Sequence, residues 1–165
     1  MRTLDRKPSH QAKTPRDPMM TQVKFVQLQN KLDRLKKSQP FAASEVSRLA
    51  ELGDFSENAE YQMAKWKLRG INYAILTLES EIQEAQIIPS NDQQDSIQVG
   101  HIVTVQNGDK ISIYQILGSS ETNPQRGVIS HHSPIGIALL GHKVGDVVVV
   151  NLASKNVEYK IINIK

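Results

Sequence analysis

The chain contains no cysteine. That excludes a disulfide framework, a thiol nucleophile and any cysteine-held zinc or iron–sulfur centre, and it suits a reducing compartment. Long hydrophobic runs are also missing, since no apolar stretch approaches the roughly 20 residues a membrane span needs. The N-terminus carries basic residues with no apolar stretch behind them, so it does not have the form of a secretory signal. A soluble, cytoplasmic protein without membrane contact is expected. Aromatics make up only 5% of the sequence, and residues 97–165 hold just Tyr114 and Tyr159, too few to line an aromatic ligand pocket.

Across 165 residues the formal net charge is +3. This excess lies entirely in the first twenty residues, where Arg2, Arg6, Lys7, Lys13 and Arg16 face only Asp5 and Asp17. Residues 21–165 carry 15 bases and 15 acids. The basic pI is therefore weak evidence for direct nucleic-acid binding. A chain of this length can bury one ordinary core, or a small core plus one extended element.

Residues 1–20, with Pro8, Pro15 and Pro18 and no apolar period, have the composition of a disordered tail. The pair Met19-Met20 opens the patterned region and offers an alternative translation start. Residues 21–88 then predict two helices. Phe25, Leu28, Leu32, Leu35, Ala42, Val46 and Leu49 follow a 3,4 spacing, with polar Gln39 at one skipped position. A second series, Tyr61, Ala64, Leu68, Ile71, Ile75, Leu78, Ile82 and Ala85, is unbroken. Two such helices joined by Gly53-Asp54-Phe55-Ser56 predict an antiparallel coiled-coil hairpin, with arms of about 45 Å at 1.5 Å per residue. Pro40 is expected to kink or loosen the first arm.

Residues 89–96 are polar and unpatterned, as a linker should be. Beyond them the period changes to two, and residues 97–165 predict a small α+β domain. The expected elements are a hairpin from His101 to Gln106 and Ile111 to Leu117 around Asn107-Gly108-Asp109, and a strand near Val128 to Ser130. A helix from Pro134 to about His142 and strands Val147 to Leu152 and Val157 to Ile164 follow. The fold class is thus α+β, with a helical hairpin ahead of a sheet domain.

Charge along the hairpin is sorted. Lys24, Lys31, Arg34, Lys36 and Lys37 mark its base, whereas residues 45–60 carry Glu45, Glu51, Asp54, Glu57 and Glu60 against Arg48 alone. Asp54-x-x-Glu57 fits a helix capping box, in which both acids also suit the positive end of the helix dipole. The same two acids can serve as cation ligands when the tip is inserted elsewhere, although Mg²⁺ wants six oxygens and two carboxylates cannot supply them. Lys65, Lys67 and Arg69 form a basic collar beyond the tip, or simply a solvated helix face. His131, His132 and His142 suggest a metal, but adjacent histidines on a strand point to opposite faces, and no acid cluster is spaced to join them. Trp66, just off the seam, suits packing or a partner contact.

The run Leu52-Gly53-Asp54-Phe55-Ser56-Glu57-Asn58-Ala59-Glu60-Tyr61 resembles the tip motif of the bacterial Gre transcript-cleavage factors. Ser133-Pro134-Ile135-Gly136, Ala138-Leu139-Leu140-Gly141 and Val144-Gly145-Asp146 resemble the C-terminal signature of the same family. The resemblance covers about residues 21–165 and is GreA-like overall. It departs at Asn72-Tyr73-Ala74, where GreA-type members commonly carry Glu-Gly-Arg, and at Ile137, where an Arg is common.

That resemblance implies an FKBP-like C-terminal domain that docks on bacterial RNA polymerase, with Ser133, Pro134, Ile135, Gly136 and Leu140 in the docking motif. It implies a hairpin that enters the polymerase's secondary channel, where Asp54 and Glu57 help hold an Mg²⁺ shared with the polymerase, with no cofactor of the chain's own. Phe55, Ser56 and Asn58 would support the tip, or merely cap and shield it. Lys65, Lys67 and Arg69 would lie near the nascent RNA. The implied role is a monomeric accessory, not itself an enzyme, that stimulates cleavage of backtracked RNA. Rival roles are a channel-binding regulator without cleavage, a peptidyl-prolyl isomerase or chaperone, and a coiled-coil adaptor. Both tip acids argue against the first and third, and the scarcity of aromatics argues against the second.

Overall fold

The computed structural model describes residues 16–51, 59–89, 95–152 and 155–165. Two helices dominate the first half, α1 (Gln22–Glu51, 30 residues) and α2 (Ala59–Glu84, 26 residues). They pack along the expected seam. Leu28, Ala42 and Leu49 from α1 and Ile75 and Leu78 from α2 are buried, while Val23, Met63, Trp66, Tyr73 and Leu76 off the seam are exposed. Helix α1 runs unbroken through Pro40. Polar Gln39 is satisfied across the seam, where its Nε2 donates to Asn72 Oδ1 at 2.8 Å. The Lys36–Glu79 ion pair (2.8 Å) joins the arms on a half-exposed face, where it adds little stability. Among the described residues no helix is long and apolar enough to cross a membrane.

The expected disordered tail does not extend to residue 20. Met19–Met20 forms a short strand, β1, that pairs in parallel with β2 (Gln86–Ile87) just after α2. The Gln86 amide donates to Pro18 O at 2.8 Å and the Ile88 amide to Met20 O at 2.9 Å. Met20 is 1% exposed and packs with Leu28 and Leu78. The physical reason is burial: a methionine delivered into the open end of the seam removes apolar surface that neither helix covers alone.

The second half is a five-stranded sheet whose strands lie in the order Val128–Ser130, Lys110–Leu117, Ile102–Asn107, Lys155–Ile164 and Val147–Leu152. Strands β3 (Ile102–Asn107) and β4 (Lys110–Leu117) form the expected hairpin, closed at Asn107↔Lys110 with Gly108 at φ +55°. Strand β5 (Val128–Ser130) lies parallel to β4. Strand β7 (Lys155–Ile164) is antiparallel to both β3 and β6 (Val147–Leu152) and starts two residues earlier than expected. Period-two burial sorts the faces: Val148 and Val150 are buried, whereas Val147 and Val149 are exposed. Ile97, Val103, Val105, Ile116, Ile129, Leu139, Val148, Ile161 and Ile164 make the core. Helix α3 (Pro134–Leu139) covers it, and ends three residues short of the expected His142 because Leu140 turns extended and Gly141 takes φ +80°. The architecture is the α+β arrangement expected, a helical hairpin followed by a sheet domain.

Candidate functional site

The base of the hairpin is fastened to the sheet domain by a polar joint. Thr21 caps α1, its Oγ1 accepting from the Lys24 amide at 3.2 Å. The same threonine donates its amide and its hydroxyl to the two carboxylate oxygens of Glu121, at 2.7 and 2.6 Å. Glu121 lies in a 3₁₀ turn, Ser119–Glu121, of the sheet domain. Ahead of β1, Asp17 accepts from the Ser119 amide at 2.6 Å and the Met19 amide at 3.1 Å. Its carboxylate lies 3.4 Å from His131 Nδ1. Burial pushes the Asp17 carboxyl up, but the Ser119 and Met19 amides, the Ser119 side chain and His131 outweigh it and hold the group below its ordinary value. Gly118 is needed here, because a Cβ would collide with the Met19 carbonyl oxygen. Nothing in the sequence signalled this joint, whose partners lie about a hundred residues apart.

A cavity of about 650 Å³ opens beside the joint, with Arg16, Lys31, Tyr73, Glu81, Ser120 and His132 in its wall. His131 and His132 do not lie on a strand as expected. They sit in the turn after β5, where adjacent side chains need not diverge, and their rings pack at a 39° tilt with centroids 3.9 Å apart. His142 is elsewhere, paired with Asp146 at 3.3 Å.

From this joint the hairpin runs about 45 Å to its other end. There Glu51 and Glu60, the flanking described acids, are exposed. Asp54, Phe55, Ser56, Glu57 and Asn58 lie outside the described residues. Of the acids expected near the tip, Glu45 is engaged, since Arg48 grips it through two contacts of 2.7 and 2.9 Å and holds its carboxyl below the usual range. As a donor set, the Asp54 and Glu57 carboxylates offer four oxygens at most, so they can complete an Mg²⁺ site but cannot make one.

The basic collar divides. Lys65 and Arg69, four residues apart, share one face of α2, with Lys65 Nζ 5.7 Å from the Tyr61 ring. Lys67 points to another face, beside Glu45 and Phe41. Arg69 adjoins the exposed Trp66 and Tyr73.

The residues expected to dock also divide. Ser133 is the N-cap of α3, accepting from the Gly136 amide at 3.0 Å, and Pro134 takes the first turn. Gly136 is packed so closely that a Cβ would strike Ser130 O. Ile135 and Leu140 are half-buried against the core. The apolar side chains that this region leaves open are Ile137 (62% exposed) and Val144 (53%). Their exposure is a tertiary property with no separate signal in the motif.

The described residues form a helical hairpin fastened to a sheet domain, and comparison with known proteins places the sequence of both parts among transcription elongation factors. Residues 18–87 match the family described as transcription elongation factor, N-terminal, and residues 92–165 match transcription elongation factor, GreA/GreB, C-term. The GreA of a Nitratiruptor species is 32% identical over 149 residues, covering 88% of this chain and 91% of that protein. The GreA of Macrococcus caseolyticus is 37% identical over 149 residues, covering 88% and 94%. Among solved structures, the GreA factor homolog 1 of Thermus thermophilus is similar over 88% of this chain and 97% of that one, at 25% identity with a TM-score of 0.41. The chain belongs to the GreA/GreB family of transcription elongation factors.

Proposed function

We propose that this chain docks on bacterial RNA polymerase through its sheet domain, passes its hairpin down the secondary channel and stimulates the polymerase's own cleavage of backtracked RNA. Membership of the GreA/GreB family supports the reading. The observation that carries it is the lever itself: two antiparallel helices of 30 and 26 residues, with Asp54 and Glu57 in the stretch of sequence that connects them.

The chain's own residues do three things in this scheme. The Thr21–Glu121 and Asp17–Ser119 contacts fix the direction in which the lever leaves the docked domain. The seam keeps the lever narrow and stiff enough to deliver its tip. Asp54 and Glu57 add carboxylate oxygens to a cation site that the polymerase mostly builds. An Mg²⁺ held there would supply activation of water and neutralisation of charge on the transferring phosphoryl group. Backtracked RNA is then cut to give a new, extendable 3′ end.

The test is a pair of reactions in Mg²⁺. The purified chain should leave free RNA intact, because two carboxylates do not make an octahedral site. The same preparation should shorten the transcript in a stalled, backtracked elongation complex. Hydrolysis of free RNA, or no shortening in the complex, contradicts the reading.

A further inference from the structure

Asp17, His131 and His132 each offer one ligand atom, and these atoms lie within 4.8 Å of one another. We propose that they form a binding site for a divalent transition-metal ion of the Zn²⁺ type, which clamps the segment ahead of the hairpin to the turn ahead of α3. In a tetrahedral site with bonds of about 2.0–2.1 Å, neighbouring ligand atoms stand about 3.3–3.4 Å apart. The Asp17 Oδ2 to His131 Nδ1 separation is 3.4 Å, so one edge of the tetrahedron is already set. His132 is exposed on the cavity wall, so its ring can turn to close the two remaining edges of that face while the cavity leaves the fourth position to water.

The ligands are held as metal ligands usually are. The Asp17 side chain is only 5% exposed, and its carboxylate is aimed by the Ser119 and Met19 amides. The His131 amide donates to Leu117 O at 3.0 Å, and the His132 amide to Ser130 Oγ at 3.1 Å, which fixes both Cα positions. His131 Nδ1 stands 3.3 Å from Leu117 O, a long contact that costs little to give up. Two imidazoles and one carboxylate favour Zn²⁺, Co²⁺ or Ni²⁺ over Mg²⁺ or Ca²⁺, which take oxygens. This site is therefore chemically distinct from the tip. It also stands independently of the proposed activity, because its readout is metal binding by the chain alone.

Titration of the full-length, chelator-treated chain with Co²⁺, followed by visible absorption, should show one tetrahedral ion per chain that Zn²⁺ displaces. His132→Ala, at an exposed position where folding is not at stake, should weaken binding at least tenfold. Asp17→Asn should do the same, and His142→Ala should change nothing. Zn²⁺ should raise the Tm of the parent chain and leave that of His132→Ala unmoved. No Co²⁺ spectrum, or one that survives both His132→Ala and Asp17→Asn, overturns the proposal and leaves an ordinary Asp–His contact beside two tilted, packed rings.

Discussion

Thr21 makes its hydrogen bonds in two domains at once, closing the first turn of α1 and anchoring that turn to Glu121. Glu121→Ala removes the acceptor for both Thr21 donors, and hydrogen bonds to a charged group typically contribute about 1.5–3 kcal/mol each. Loss of about 3 kcal/mol, the low end for two such bonds at a partly exposed site, is expected in thermal or denaturant unfolding, with the hairpin and the sheet domain each retaining its circular-dichroism signature. Asp17 gives this joint a pH dependence. Its carboxyl is held below the ordinary value of 3.8, so its contribution is complete above that pH and is lost as the pH falls through the lower folded value. Asp17→Asn should therefore lower stability at neutral pH and flatten the acid limb of the stability–pH curve below about pH 4. An unchanged acid limb would show that the carboxylate is not held as described.

At the scale of elements, the hairpin and most strands were legible in the sequence, because their signals are local. A heptad seam, an Asn-Gly turn and period-two alternation each specify structure within a few residues. The joint was not legible. Asp17 meets Ser119 and Thr21 meets Glu121 across about a hundred positions, by polar contacts that leave no period. The histidine pair was misplaced for a related reason: β5 stops at Ser130, one residue before the pair, so strand alternation never applied to it. The tip acids stand out in the sequence, but their arrangement lies outside the described residues.

Two predictions belong to elements. Gln39 and Asn72 form a half-buried polar pair in the seam, of the kind that fixes register at a cost in stability. Replacing both with leucine should raise Tm by a few degrees, about 1 kcal/mol, whereas Gln39→Leu alone should not. Near α3, Leu140→Asp places a charge against the core and should cost about 3 kcal/mol. Ile137→Asp, at an exposed position, should leave unfolding unchanged and weaken binding to the polymerase. If Ile137→Asp bound normally, the open face of α3 would not be the docking face.

For the whole molecule the central claim is a separation of labour along a lever: the sheet domain binds, the joint sets direction, and the tip contributes acids to a site built elsewhere. The most direct measurement is transcript cleavage in a backtracked elongation complex with Asp54→Asn and Glu57→Gln, singly and together, alongside polymerase binding by each variant. Asparagine caps a helix about as well as aspartate, so Asp54→Asn removes charge at no expense to helix capping. The account predicts that binding persists, that the double variant loses stimulation, and that raised Mg²⁺ partly rescues a single variant. Normal cleavage by the double variant would contradict it, and would leave Asp54 and Glu57 as no more than a capping box.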